Sequence, residues 1–155
     1  MANPFPFTAG QVLTAAQMNG IGEAATSFTP TYVAGSYTRG NGTTIAYYMR
    51  VNKLIYVYVQ ETLGTTSSVG AGGITMNLPF TASRAVSVQS APAKIDDTGT
   101  NFYFGVSIPD STTTVGVVMQ KSSGTYVDIA FINSTVPMTW ASTDKFTLSF
   151  VYEAA

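Results

Sequence analysis

Between residues 43 and 63 apolar and polar positions alternate with the two-residue period of a β-strand, and the alternation loads both faces. Ile55, Val57 and Val59 share one parity, while Tyr56 and Tyr58 share the other. Aromatic and β-branched residues fill both halves of the stretch, and Asn52 falls between them. Asn tolerates the left-handed backbone of a tight turn, so Arg50, Val51, Asn52 and Lys53 are read as the tip of a hairpin. One face should join the domain's own core, and the other is expected to meet a second subunit.

The strand pattern continues over 28–33, 74–78, 85–91, 102–108, 114–119, 126–132 and 146–152, around the 43–50 and 54–63 hairpin. Turn clusters divide these runs: Arg39-Gly40-Asn41-Gly42, Asp96-Asp97-Thr98-Gly99, Pro109-Asp110-Ser111 and Ser122-Ser123-Gly124. Residues 64–73 are expected to be the longest flexible loop. Many short strands at this spacing predict an all-β fold, an antiparallel β-sandwich or jelly-roll knob over residues 28–155.

The first 25 residues are different. They hold Phe5, Phe7, Val12, Leu13, Met18 and Ile21 but one charged residue, Glu23. Thr14 and Gln17 fit a capping box, so a short helix is expected to follow and to end near Gly20 or Gly22. So short a helix is marginal alone and cannot cover all these side chains. Residues 1–27 are therefore read as an anchor for another protein, the alternative being a tail folded back on its own domain.

Composition narrows the function. Charged residues are 10% and hydrophobic residues 45%, so Thr, Ser, Gly and Asn must cover much of the surface, as in extracellular and virion proteins. A net charge of −1 with scattered basic residues gives no footprint for nucleic acid. The chain has no Cys and no His, which removes thiolate chemistry and the commonest general base at neutral pH. No cofactor, metal site or enzymatic activity is expected. Asp96 and Asp97 are taken as turn residues in preference to Ca²⁺ ligands. There is no secretory-signal pattern and no apolar run of the ~20 residues that span a bilayer, so no membrane partner is expected.

Two stretches carry a resemblance. FTAGQVLTAAQMN, in which Phe7, Gly10, Leu13, Thr14, Ala15, Ala16 and Asn19 match, resembles the N-terminal F-x-x-G-x-x-L-T-A-A-x-x-N motif of small tailed-phage structural proteins. The C-terminal WASTDKFTLSFVYEA is similar to the closing strand of the β-domains in that group, through Trp140, Asp144, Phe146, Leu148, Phe150 and Tyr152. Thr143 stands where a Gly is expected. The resemblance implies a homotrimer on the virion surface, with a projecting β-sandwich knob docked on capsid or tail proteins. Phe7, Gly10, Val12, Leu13, Thr14, Met18 and Ile21 would do the docking. Tyr47, Tyr56, Tyr58, Trp140, Phe150 and Tyr152 are assigned to the core or the trimer interface. Capsid decoration (a cement or head-fibre protein) is the leading expectation, and a short tail fibre or receptor-binding knob is the alternative. A glycan-binding β-sandwich module, with a host surface glycan as ligand, is the third. Tyr32, Tyr37, Tyr47, Tyr48, Tyr56, Tyr58, Phe102, Tyr103, Phe104 and Trp140 could form a sugar-stacking platform, but core and subunit contact are preferred for them.

Overall fold

The structure, a computed structural model, describes residues 24–84, 91–123 and 126–155, together with Gly10, Val12, Thr14 and Ala15. The hairpin read from the sequence is its centre. Strands β3 (Thr43–Val51) and β4 (Leu54–Thr62) pair antiparallel from Thr43↔Thr62 to Val51↔Leu54, and Asn52 turns the chain at φ 56°. The expected faces also hold: Ile55, Val57 and Val59 are fully buried, and Tyr56 and Tyr58 lie on the opposite side.

Around this hairpin the described residues build an all-β, sandwich-like fold. Two short strands precede the hairpin, β1 (Thr26–Ser27) and β2 (Tyr37–Thr38). After it come β5 (Ser68–Val69), β6 (Thr75–Asn77), β7 (Ala91–Asp97), β8 (Asn101–Pro109), β9 (Thr114–Ser123), β10 (Tyr126–Phe131) and β11 (Lys145–Glu153). Nine strands form one antiparallel sheet in the order β1-β3-β4-β11-β7-β8-β9-β10, with β6 also paired to β9. Strands β2 and β5 make a separate pair.

The sheet closes on itself through one segment. Thr26 and Ser27 pair with β3 at one edge. A few residues later Asn77 N donates to Thr31 O (2.8 Å), Val33 N donates to Thr75 O (2.9 Å), and Tyr32 bridges Met76 at the other edge. The core lies inside this closure. It is formed by Ile55, Val57 and Val59 of β4, Phe146, Leu148, Phe150 and Tyr152 of β11, Ile95 of β7, Met76 of β6, and Val115 and Val117 of β9.

Glu61 sits at the closure, fully buried, on the same parity as Ile55, Val57 and Val59. A bare buried carboxylate would be costly, and four donors surround this one. Arg39 donates through Nη2 to Oε1 (2.9 Å) and through Nε to Oε2 (3.2 Å). The Tyr32 hydroxyl donates to Oε1 (2.9 Å) and the Thr44 hydroxyl to Oε2 (2.6 Å). Arg39 also donates to Pro30 O at 3.0 Å. The closing segment, the loop before β3, β3 and β4 thus meet at one side chain. Burial, reinforced by the Glu61 charge, holds the Tyr32 hydroxyl well above the ordinary phenol range.

Several sequence expectations are corrected. Residues 28–33 are an irregular closing segment with a single bridge, because the chain must cross from one sheet edge to the other. Asp96 and Asp97 end strand β7, and the turn follows them, with Thr100 N donating to Asp97 O at 2.9 Å. Part of the expected flexible loop, Ser68–Val69, is strand β5. The expected 85–91 strand lies outside the described residues except for Ala91, which opens β7. The expected N-terminal helix likewise lies outside them except for Ala15, which is helical.

Two predictions follow from the buried polar groups. Arg39→Ala strips the buried Glu61 of two donors and its counter-charge, so it should cost on the order of 3–5 kcal/mol in chemical denaturation. Glu61→Gln should cost less, since it removes the buried charge and keeps the shape. Equal or reversed costs would show that the carboxylate does not organise the closure.

Burial also pushes the hydroxyls of Tyr37 and Tyr152 up from 10.0 to about 12. The unfolded chain releases these protons near pH 10, while the fold retains them to about pH 12. Their contribution to stability is therefore fully present below about pH 10 and is lost as pH rises toward about 12. Denaturation midpoints measured across that range should fall with pH, with tyrosinate absorbance rising on unfolding; a flat profile would contradict the burial argument.

Candidate interaction surface

The parity that buries one face of the sheet points a second set of side chains outward, and register lines them up. Ile45, Gln60, Thr147, Lys94 and Phe104 fall in one row across β3, β4, β11, β7 and β8. The next row places Tyr47 beside Tyr58 and Ser149, and the one after places Met49 beside Tyr56 and Val151. A polar strip of Gln60, Thr147, Ser149 and Lys94 therefore divides two apolar fields.

The first field is tyrosine-rich. Tyr47 stacks on Tyr58 with ring centres 5.1 Å apart and planes 19° apart, and Tyr56 lies 6.4 Å from Tyr47. Ile45, Met49, Val51 and Leu54 extend the field, all of them exposed. The expected site residues Tyr47, Tyr56 and Tyr58 are thus brought together on one outward face.

The second field is drier. Phe102, Phe104 and Val106 of β8 and Ile129 and Phe131 of β10 are exposed, with Phe104 at 66%. The two Phe rings meet edge to face at 5.5 Å. Beside Phe104 an open depression of about 310 Å³ is lined by Val106, Val118, Gln120 and Ile129. Lys94 lies over the Phe102 ring at 5.3 Å and pairs with Asp96 at 3.5 Å. That ion pair is solvent-exposed and adds little stability; it rims the field with charge. Gly116 makes room for Phe131: a Cβ there would meet the ring at 2.5 Å.

The remaining expected site residues are elsewhere. Phe150 and Tyr152 are buried in the core, and the Tyr152 hydroxyl accepts from Phe80 N at 3.0 Å. Trp140 is half-buried at one end of the sandwich, edge-on to Phe146 at 6.2 Å. Gly10, Val12 and Thr14 are exposed, Val12 at 88%, and Gly10 has φ 85°. Phe7, Leu13, Met18 and Ile21 lie outside the described residues.

Sequence reading missed Val106, Ile129 and Phe131 as surface residues and Glu61 as a buried one. The signal for the first two was parity, since Val106 continues the Phe102-Phe104 register and Ile129 pairs across from Gln120. Parity also marked Glu61, which continues the register of three buried aliphatics.

Both buried carboxylates are hydrogen-bonded within the fold. Glu61 is saturated by its four donors, and Asp144 accepts from Ala141 N (2.7 Å) and Thr98 N (3.1 Å). Among the described residues no helix is long and apolar enough to cross a membrane. No protein-family model matches the chain, and no curated protein or solved structure is significantly similar to it.

Proposed function

We propose that this chain is a non-enzymatic structural protein of a tailed-phage particle. In this reading it forms a homotrimer through the outer face of its sheet, is attached to the capsid through residues 1–25, ahead of strand β1, and decorates the virion surface. The observation that carries the reading is the pair of apolar fields on the outer face, centred on Tyr47, Tyr56 and Tyr58 and on Phe102 and Phe104. Contiguous apolar surface of this kind is rare on monomers and marks interaction sites. Central apolar residues with a charged rim such as Lys94 and Asp96 are the usual anatomy of a protein interface. The phage resemblance of 7–19 and 140–154 supplies the setting.

The apolar character of residues 1–23 suits attachment. Val12, Leu13 and their apolar neighbours would each contribute roughly 1.5–3 kcal/mol if fully buried in a docking groove. Three copies held together would strengthen weak individual docking through effective concentration.

Light scattering should find a particle of three times the 16.4 kDa chain mass at micromolar concentration. Phe104→Asp or Tyr58→Asp should convert it to folded monomers, because a charge in a closed interface must be desolvated. Removing residues 1–23 should leave a folded trimer that no longer attaches to particles lacking the protein. A wild-type monomer at these concentrations would overturn the assembly reading, and a truncated trimer that still attaches would overturn the anchor.

A further inference from the structure

At one end of the sandwich the 63–69 and 134–142 loops enclose a groove of about 460 Å³, within the range of small-ligand sites. Its chemistry differs from that of the outer face. Trp140 supplies the aromatic surface, and Ser68, Ser134, Thr139 and Ser142 supply hydroxyls. None of its lining side chains is charged. Among the described residues these four hydroxyls make no protein hydrogen bond, so they remain available to a ligand.

The groove is also held rigid. Trp140 Nε1 donates to Asn133 O at 2.8 Å, and the ring meets Phe146 edge-on at 87°, which fixes the indole plane. Next to it Thr143 adopts φ 78°, a genuine outlier for a β-branched residue and one that costs on the order of 1–3 kcal/mol. Several bonds hold it there. Thr143 N donates to Leu63 O (2.8 Å), Leu63 N donates to Asp144 O (2.8 Å), and the Thr98 hydroxyl donates to Thr143 O (2.7 Å). Strain of this kind persists where surrounding structure over-determines it, and it clusters at ligand sites.

We infer that this groove binds a neutral saccharide, with Trp140 stacking on a sugar ring and the surrounding hydroxyls pairing with its hydroxyl groups. A pyranose presents a face of C–H bonds and a rim of hydroxyls, which an aromatic plane flanked by uncharged hydrogen-bonding groups complements. An apolar peptide would bury the four serine and threonine hydroxyls without partners, at a penalty for each. A polyanion would find no cation in the groove. The pinned indole and backbone mean that little ordering is lost on binding. No carboxylate lines the groove, whereas glycoside hydrolysis uses a pair of them flanking the bond, so the inference is of binding alone. The inference rests on the groove alone and does not require the trimer or the virion.

Trp140 is the chain's single tryptophan, so its fluorescence reports directly on the groove. The full-length protein is titrated with neutral oligosaccharides of glucose, galactose and N-acetylglucosamine, and separately with a sulfated polysaccharide. At least one neutral series should produce a saturable change in fluorescence. The S68A/S142A double variant should weaken that binding about tenfold with an unchanged melting temperature. Phe104→Asp, on the outer face, should leave it unaltered even where assembly is lost. Absence of a saturable response across the neutral series, binding indifferent to S68A/S142A, or tighter binding of the sulfated polymer would each overturn the proposal.

Discussion

The fold depends on satisfying one carboxylate buried inside a core. Glu61 occupies a position that the strand's own alternation forces inward, so the chain must bring donors to it. Tyr32 comes from the segment that crosses between the two sheet edges, Thr44 from β3, and Arg39 from the loop between them. An ion pair of this kind adds little net stability over well-packed apolar residues, but leaving it half-made is expensive. The closure in which residues 26–33 join both edges brings Tyr32 to Glu61 and so avoids that cost. Phe146 benefits from the same placement, since Tyr32 and Tyr37 pack edge-on against it.

Closure leaves the sheet with only one face to offer partners. Among the described residues its inner face is occupied by the core and by Glu61, so contacts made by the sheet itself use the outer face or the loop ends. The outer face offers mostly apolar contact: stacked tyrosines on one side, Phe102 and Phe104 beside a depression on the other. The loop end offers hydroxyls around one indole. These chemistries call for different partners. The dry fields suit another protein surface of the same kind, and the wet groove suits a small neutral molecule. A body that assembles through its flank and leaves its end exposed can carry both.

Much of this was legible in the chain because it is local. The β3–β4 hairpin, its Asn52 tip and the two faces of β4 follow from alternation and turn chemistry. The left-handed backbone of Thr143 was not legible, since its neighbours hold a β-branched residue there. Strand β7 was hidden because Pro92, Lys94, Asp96 and Asp97 read as loop residues; pairing with β8 on one side and β11 on the other overrides that propensity. The irregular course of 28–33 was equally invisible, since it is set by the distance between two sheet edges. The outer face could be listed by parity, but which residues adjoin across five strands depends on long-range register. The groove joins residues some 70 positions apart, Ser68 and Thr139 among them, and nothing local announces it.

The central claim, that the outer face of the sheet is a buried contact in the working protein, can be tested side chain by side chain. Covalent footprinting of the native assembly, resolved by mass spectrometry, compares labelling of Tyr47, Tyr56, Tyr58, Phe102 and Phe104 with that of core Tyr152 and of exposed Tyr and Phe in unfolded protein. The account predicts outer-face labelling close to that of Tyr152, despite the exposure of these rings in a single chain. Labelling at the level of the unfolded protein, in an assembly that is otherwise intact, would contradict it.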